Sequence, residues 1–564
     1  MRQDNADAWP LRPWLMAAIC AVAGLIFHWL TDHRYPAGIA PERQAAATFV
    51  AIASVAFVLT VERRRWLWSL MFAASWGLVV AGVGWFTSSY NSQPTIFEWP
   101  YLSGIFAVLI AAPLFQTVRD EGAWRFPYER LHNHAWMDAV IGAASLFFTG
   151  IVFLLAWLIA GLFNLIGIDV LSDLLKKDWF SWTLAGFAFG AAVGLLRERD
   201  ALLTTLQRLV MVVLSVLAPI LAAALILFLA SLPFTGLSKL WNSDIPATPL
   251  LLVAGAGAIL LANAVIGNGK SDRSPNRVLQ VSAMALILTI LPLAIISALS
   301  IGQRIGQYGW TPERIWGVIA VAVAMIYGAA GWWALLKGRL EFDDLLRPLQ
   351  TRLAIGLCGL ALFLALPILD FGAISANSQM ARFAAGRVPA AEFDWRAMAF
   401  DFGPAGRQRL QAIASSGAPD QRKLASAALA SKNRYEVKEQ VDQAASAAKL
   451  GSMMRVVPEG TALSAELRSA VAATGYCRVA PCVVTLIDPG QAMIIGPTLN
   501  KANSAGSTVL ARNPKGDWSE RDEIRPGKPE APFRPNLATA PVEVRKVERR
   551  QVYVDGKAVG QPFE

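Results

Sequence analysis

The sequence predicts an all-α polytopic membrane bundle of about eleven transmembrane helices, followed by a C-terminal α+β domain outside the cytoplasm. Three features of the sequence point to this fold class. Hydrophobic residues make up 55% of the 564 residues and charged residues only 16%, whereas a soluble chain carries roughly 25% charged residues. The apolar residues also form many long runs, and composition changes sharply after Asp370. These features exclude a soluble multidomain protein, a disordered chain and a disulfide-rich secreted scaffold.

Apolar runs of about 20 residues are long enough to cross the hydrocarbon layer as helices. The predicted spans cover residues 14–30, 44–61, 66–86, 102–118, 137–166, 179–196, 208–232, 249–267, 278–301, 313–336 and 353–369. Lys and Arg lie between these runs or at their ends, because a charge at the bilayer centre costs several kcal/mol. The first run lacks a following small-residue cleavage site, which favours a retained span over a signal peptide. The end of the fifth run, Phe163 to Ile168, is expected to bend into the interface.

Basic residues predict the orientation of the spans. The N-terminus and every second loop after it hold most of the Lys and Arg, among them Arg63, Arg64 and Arg65. The positive-inside rule therefore predicts a cytoplasmic N-terminus. An odd number of spans then places the tail from residue 371 on the other side of the membrane.

The sequence of the tail after residue 370 predicts a folded domain rather than a linker. We divide the chain into a membrane domain (1–370), a helical segment (371–450) and a small mixed α/β domain (451–564). Pro419-Asp420 is typical of a helix start. Further signals are a hairpin of 483–487 and 492–495 around Asp488-Pro489-Gly490, a Pro/Gly-rich loop near 512–541, and terminal strands at 542–547 and 551–554.

Two cysteines in the tail, Cys477 and Cys482, are close enough in sequence to form a small disulfide loop. Such a pair is expected to be oxidised outside the cytoplasm. A metal site is the alternative interpretation. The tail has no histidine and no second cysteine pair, so we favour the disulfide.

Candidate catalytic chemistry is sparse. His134 and Asp138 share one helix face at the start of the fifth span, and a histidine with a carboxylate can bind a transition metal. His132 points elsewhere on such a helix, so we rank interfacial anchoring above a metal site. The sequence has no phosphate-binding Gly-Lys-Ser/Thr loop, Gly-x-Ser-x-Gly elbow or His-Glu-x-x-His motif. We therefore expect a protein that is not an enzyme and uses no cofactor.

Glycines at four-residue spacing, Gly186, Gly190 and Gly194, form a flat strip on the sixth predicted helix. In lipid, such a strip allows another helix backbone to approach closely. The partner helix lies either in this chain or in a second copy, so an oligomer is possible through the strip. Nucleic acid is not expected as a partner, because the topology places the basic tail outside the cytoplasm.

Several loop segments resemble an uncharacterised family, domain-of-unknown-function family 4153. The matching segments are 126–136 (FPYERLHNHAW), 232–237 (LPFTGL) followed by 240–241 (LW), 263–265 (NAV), 305–316 (IGQYGWTPERIW), 374–379 (ISANSQ) and 393–395 (FDW). The resemblance covers roughly residues 100–400. It implies a bacterial inner-membrane protein, so that the tail is expected to be periplasmic, and it carries over no activity or site residue.

The loops at 233–248 and 302–312, with the start of the tail, are expected to form one exterior surface. The polar and aromatic candidates for binding are Trp241, Asn242, Asn263, Gln307, Tyr308, Trp310, Asn377 and Gln379. An interfacial aromatic belt also explains Tyr308 and Trp310, and we rank that interpretation first. We expect the protein to assemble the envelope, or to bind an envelope protein or lipid partner, through its tail. The alternative is a transporter or flippase for a neutral or lipid-like molecule, suggested by the Pro- and Asn-containing spans.

Overall fold

A computed structural model describes residues 9–32, 39–90, 98–241, 246–270, 272–390, 392–437, 453–477, 481–498, 501–513, 516–521, 550–554 and 557–563. The chain divides into two compact units. The first comprises Met1–Arg382 with Asp401–Ala405, and the second comprises Phe383–Phe400 with Gly406–Glu564. The predicted domain boundary at residue 370 stays a prediction.

Long α-helices dominate the first unit. Its helices are α1 (Arg12–Thr31), α2 (Pro41–Thr60), α3 (Trp66–Tyr90), α4 (Glu98–Glu121), α5 (Tyr128–Asn164), α6 (Val170–Leu175), α7 (Asp178–Glu198), α8 (Asp200–Thr235), α9 (Ser238–Trp241), α10 (Ala247–Ile266), α11 (Arg277–Tyr308), α12 (Pro312–Gly338), α13 (Phe342–Ala365) and α14 (Phe371–Ala384). Among the described residues, ten stretches are long and apolar enough to cross a membrane. The last of these, Pro312–Ala365, contains both α12 and α13.

Every predicted apolar run overlaps one of these long helices, while the number of membrane crossings stays a prediction. Several helices depart clearly from their predicted limits, among them α5 and α13. Helix α5 begins at Tyr128, nine residues before the apolar run, because a helix can continue through polar residues beyond hydrocarbon. Helix α13 spans Phe342–Ala365 instead of 353–369. Its end precedes Leu366-Pro367, where the residue before proline disfavours helical geometry.

The glycine strip is covered by α1. A Cβ atom added at Gly186, Gly190 or Gly194 would overlap backbone atoms of Cys20, Met16 and Pro13, respectively. The two helices therefore run antiparallel with their backbones in direct contact, as small residues permit in membranes. A second copy of the chain cannot use this strip while α1 occupies it.

The C-terminal end of α2 binds arginines from three other helices. The Arg12 Nη2 atom donates to the Val61 carbonyl over 3.0 Å. Arg119 donates to the Thr60 carbonyl, and Arg197 to the Leu59 carbonyl. These carbonyls lack partners within α2, and guanidinium groups complement the negative end of the helix. The arrangement fixes α1, α4 and α7 around one helix end.

A second ionic cluster joins α13 to the α10–α11 connection. The carboxylate of Asp343 pairs with Arg273 at 2.9 Å and with Arg347 at 2.8 Å. Arg347 also donates to the Ile266 carbonyl at the end of α10 over 3.1 Å. Asp343 is only 1% exposed, so its two arginine partners balance a charge that would otherwise be costly to bury.

The second unit contains the predicted mixed domain. Beyond residue 400 the structure shows helices α15 (Gly403–Ser416), α16 (Pro419–Ala430) and α17 (Ala465–Thr474). The strands are β1 (Met454–Val457), β2 (Cys482–Asp488), β3 (Gln491–Thr498), β4 (Lys501–Arg512), β5 (Trp518–Arg521), β6 (Arg550–Val554) and β7 (Lys557–Phe563). The first five form a sheet in the order β1-β2-β3-β4-β5, and β6 pairs with β7.

Several local predictions for this domain are confirmed. Helix α16 starts at Pro419, and β2 and β3 form an antiparallel hairpin with Val484 opposite Ile494. Strand β5 lies inside the stretch predicted as a loop at 512–541. The rest of that loop from 522 onward, and the predicted strand 542–547, lie outside the described residues.

Cys477 and Cys482 form the predicted disulfide. Both cysteines are buried against α17 and the sheet, beside Leu467 and Ile494. The crosslink therefore lies in the core of the domain, where it ties the segment after α17 to the first residue of β2.

Replacing both cysteines with serine is expected to weaken the sheet domain by about 2 kcal/mol, because loop closure restricts the unfolded chain even when the loop is short. Hydrogen exchange of the β2–β3 hairpin in the full-length protein would measure the change. The matched control is Cys358→Ser, which removes a free cysteine outside this domain and should leave hairpin exchange unchanged. Equal protection in both variants would contradict the expectation.

Candidate functional site

A polar cleft of about 430 Å³ lies where the end of α11 meets the start of α10. We call it the Trp241 cleft. Its described lining residues are Leu240, Trp241, Pro246, Ala247, Thr248, Pro249, Ser300, Gln303, Arg304, Gln307 and Tyr308. The cleft combines indole and phenol rings with amide, hydroxyl and guanidinium groups, which is the type of lining that binds a polar ligand.

Helix geometry brings these groups together. Ser300, Gln303, Arg304 and Gln307 are spaced by three or four residues, so they share one face of the last turns of α11. The α8–α10 connection brings Trp241 and the first turn of α10 to that face. Sequence reasoning had named Trp241, Gln307 and Tyr308, and the structure places all three around the same cleft.

The connection between α11 and α12 is held by α14. The Gln379 side-chain amide donates to the carbonyls of Tyr308 at 2.9 Å and Trp310 at 3.0 Å. The Ser378 hydroxyl accepts from the Trp310 amide at 3.1 Å, and Arg382 donates to the Gly306 and Gln307 carbonyls. Trp310 and Gln379, both named as binding candidates, therefore contribute to one structural turn.

Two other candidates lie apart from the cleft. Asn263 accepts from the Gln350 amide at 2.7 Å, a contact between α10 and α13. Sixteen residues of helix separate it from Ala247, which corresponds to about 24 Å. Asn377 is exposed on α14, and Asn242 lies outside the described residues.

Replacing Gln379 with alanine should loosen the α11–α12 connection, because two backbone carbonyls lose their side-chain donor. Each net hydrogen bond contributes about 1 kcal/mol, so we expect a loss of about 2 kcal/mol in local protection. Hydrogen exchange of residues 306–312 would measure it. The exposed neighbour Asn377 provides a matched control, and faster exchange in Asn377→Ala than in Gln379→Ala would contradict this assignment.

His134 and Asp138, the weak candidates for a metal site, each pair with a side chain of α4. The His134 Nε2 atom lies 3.0 Å from an Asp120 carboxylate oxygen, and Asp138 accepts from the Gln116 amide at 2.7 Å. The two pairs form a polar ladder between α4 and α5. No group of three or more His, Cys, Asp or Glu side chains suited to a metal ion occurs in the part of the chain that the structure describes.

A second cavity, of about 230 Å³, lies between the ends of α3 and α13 and the starts of α4, α12 and α14. We call it the Trp316 pocket. Most of its lining is apolar, and the residues are Phe86, Thr87, Pro100, Pro312, Trp316, Leu364, Ala365, Leu366, Pro367, Leu369, Asp370, Phe371, Gly372, Phe402, Gly403 and Pro404. The Trp316 ring stacks on Trp99, with centroids 5.6 Å apart, and meets Phe371 edge-on at 5.4 Å.

Sequence reasoning missed some important side chains of both cavities. Arg304 lies in a predicted loop, beyond the span 278–301, although its spacing from Ser300 and Gln307 indicates a shared helix face. Leu364 and Phe402 belong to segments that are distant in sequence, so no local pattern connects them. Outside the two cavities, the ion pair between Asp343 and Arg347 could have been predicted from the four-residue spacing of their opposite charges.

A bundle of long apolar helices with its charged contacts at helix ends defines a multi-pass integral membrane protein. Comparison with protein families agrees with the resemblance found in the loops. The sequence profile of the family named Domain of unknown function (DUF4153) matches residues 45–399, well over half of the chain. The protein therefore belongs to this family. Neither the curated proteins nor the solved structures gave a match.

Proposed function

We propose that this membrane protein resides in the bacterial inner membrane and binds an envelope partner through a periplasmic C-terminal domain. The proposal assigns it no catalytic step and no cofactor. The observation that carries it is the disulfide between Cys477 and Cys482, because disulfides persist in oxidising compartments and are rare in the cytosol.

The distribution of charge supports the same orientation. Arg12, Arg119 and Arg347 are buried, and Arg197 is partly buried, around helix ends on the side predicted to be cytoplasmic. Basic residues near the ends of spans favour that side. A C-terminal domain on the opposite side then meets the periplasm and the components of the envelope.

The C-terminal domain also offers contact points for a partner. Tyr435 is 85% exposed and Ile487 41% exposed, and large apolar side chains on a surface are frequent in interfaces. Ile487 lies in β2, so the sheet holds it in a fixed position, and Tyr435 belongs to the same compact unit. These properties favour binding over a purely membrane-embedded role.

Topology can be tested with thiol labelling in cells whose outer membrane has been permeabilised. We expect a membrane-impermeant maleimide to label a cysteine introduced at Tyr435, which is 85% exposed, because the buried disulfide leaves Cys477 and Cys482 unreactive. External protease should also remove a C-terminal epitope. A tail that is protected from external protease yet digested in inverted vesicles would overturn the orientation.

Partner binding requires a separate experiment. A photo-crosslinking amino acid at Tyr435 in the full-length protein is expected to capture one envelope component in stoichiometric yield. The same residue placed at Trp124, which is equally exposed at 85% in the loop between α4 and α5, is the control and should not capture this component. Failure to capture a stoichiometric partner at Tyr435 or Ile487 would contradict binding through this domain.

The Trp316 pocket favours a second function, handling of a neutral or lipid-like molecule by transport or flipping. An apolar cavity gains free energy when aliphatic groups fill it, at about 25 cal/mol for each Å² of apolar surface removed from water. Leu364→Trp would fill the pocket, and Phe363→Trp, an exposed neighbour, is the control. Loss of photoactivatable-lipid labelling in Leu364→Trp alone is expected, and equal labelling of both variants would exclude the pocket.

A further inference from the structure

We infer that the Trp241 cleft binds a phosphate-bearing polyol, the chemistry shared by glycerol phosphate and by the head group of phosphatidylglycerol. This inference goes beyond the proposed function, because it concerns the membrane domain and does not depend on a partner of the C-terminal domain. Four features of the cleft support this ligand class: its size, its hydrogen-bonding groups, its charge and its aromatic side chains.

The volume and the lining suit a small polar molecule. At about 430 Å³ the cleft falls within the range of pockets that hold small ligands. The Gln303 and Gln307 amides can donate and accept hydrogen bonds, and the Ser300 and Thr248 hydroxyls can do the same. Groups of this kind match the hydroxyl groups of a polyol.

The charge of the cleft favours an anion. Arg304 is the ionised residue among the described lining residues, and no described carboxylate lines the cleft. Its guanidinium carbon lies 6.0 Å from the centroid of the Tyr308 ring. This cation–π contact holds the side chain beside the cleft and leaves its N–H groups available to a phosphate, which guanidinium groups bind in a bidentate manner.

Backbone groups add to the positive potential. Helix α10 begins at the cleft, and Pro246 and Pro249 have no N–H, so Ala247 and Thr248 supply the unsatisfied donors of its first turn. Both residues line the cleft. The start of a helix is positively polarised and favours anions.

The negative end of α11, which also reaches the cleft, is neutralised on its other side. Arg382 donates to the carbonyls of Gly306 and Gln307, and Gln379 donates to the carbonyl of Tyr308. The carbonyl groups that would repel an anion are thereby already bound. Arg304, the start of α10 and these covered carbonyls together make the cleft selective for negative charge.

The aromatic residues add selectivity for a polyol. The C–H groups of a polyol chain are apolar, and the rings of Trp241 and Tyr308 provide flat apolar surfaces beside the amides and hydroxyls. A small inorganic anion cannot use these surfaces. A phosphate linked to glycerol can use both the charged and the aromatic parts of the cleft.

The test uses the full-length protein in nanodiscs of phosphatidylcholine. One arm measures equilibrium binding of radiolabelled glycerol phosphate, and the other measures thermal stabilisation when phosphatidylglycerol replaces part of the lipid. Saturable binding of glycerol phosphate supports a soluble ligand, and a response to phosphatidylglycerol alone supports a lipid head group. Absence of a response in both arms would overturn the inference.

Four variants locate the site. Arg304→Gln should weaken binding about tenfold or more, because a charge-assisted hydrogen bond is lost, and Arg304→Lys should weaken it less. Lys177→Gln removes the same charge from an exposed position outside the cleft and should bind like the wild-type protein. Equal weakening in Arg304→Gln and Lys177→Gln would mean that binding reflects general surface charge, and it would contradict the assignment. Gln307→Leu, which keeps the charge, tests the cleft independently and should also weaken binding.

Discussion

Replacing Asp343 with alanine is expected to produce the largest loss of stability of any single charge removal described above. The carboxylate is 1% exposed and pairs with both Arg273 and Arg347. Its removal leaves Arg273 without its carboxylate partner, while Arg347 keeps only the partly exposed Asp344 at 3.2 Å. Breaking a buried ion pair in this way costs about 3–5 kcal/mol, so the apparent melting temperature in detergent should fall markedly.

An exposed pair in the same connection provides the control. Lys270 lies 2.7 Å from Asp344, and the hydrogen bond to that carboxylate raises the pKa of Lys270. Lys270 is fully exposed, so water and salt screen the interaction. Lys270→Ala should therefore leave the melting temperature almost unchanged. Similar melting of Asp343→Ala and Lys270→Ala would show that the buried cluster contributes little.

The second prediction of a large effect concerns the close contact between α1 and α7. Gly190→Ala places a methyl group against the backbone carbonyl of Met16, which cannot rotate away. The two helices must separate, and overpacking of this kind costs about 3 kcal/mol. Intrinsic tryptophan fluorescence during thermal unfolding would measure the loss.

The matched substitution is Gly150→Ala in the middle of α5. A Cβ atom there meets nothing within 4 Å, and alanine is favoured over glycine within a helix by roughly 0.5–1 kcal/mol. We expect this variant to be as stable as the wild-type protein or slightly more stable. Equal destabilisation by the two substitutions would argue against close packing at Gly190.

The sequence predicted where helices form better than it predicted which helices pack against one another. An apolar run must become a helix in hydrocarbon, since each backbone group needs an internal partner. The choice of neighbour is not encoded in the same way, because apolar side chains face lipid and other helices alike. The spacing of Gly186, Gly190 and Gly194 predicted a close helix–helix contact. Only the three-dimensional structure identifies α1 as the partner helix.

The candidate site shows the same limit. Trp241 and Tyr308 stood out as aromatic residues in polar loops, and they share a cleft. Arg304 lies in a predicted loop, and the positive-inside rule counts such charges without regard to which side chains face one another. Asn263, chosen as a polar residue in a span, bonds to Gln350 near the opposite end of α10. Whether such a residue lines the cleft or bonds another helix depends on where it lies along its helix. The sequence alone predicts that position poorly.

The pairing of α1 with α7 has a consequence for biosynthesis. Roughly 150 residues separate the end of α1 at Thr31 from the start of α7 at Asp178, and a ribosome adds about 5–20 residues per second. The first helix thus waits roughly 10–30 s in the bilayer before its main neighbour is translated. During that delay the face around Met16 and Cys20 must be covered by lipid or by an insertion factor.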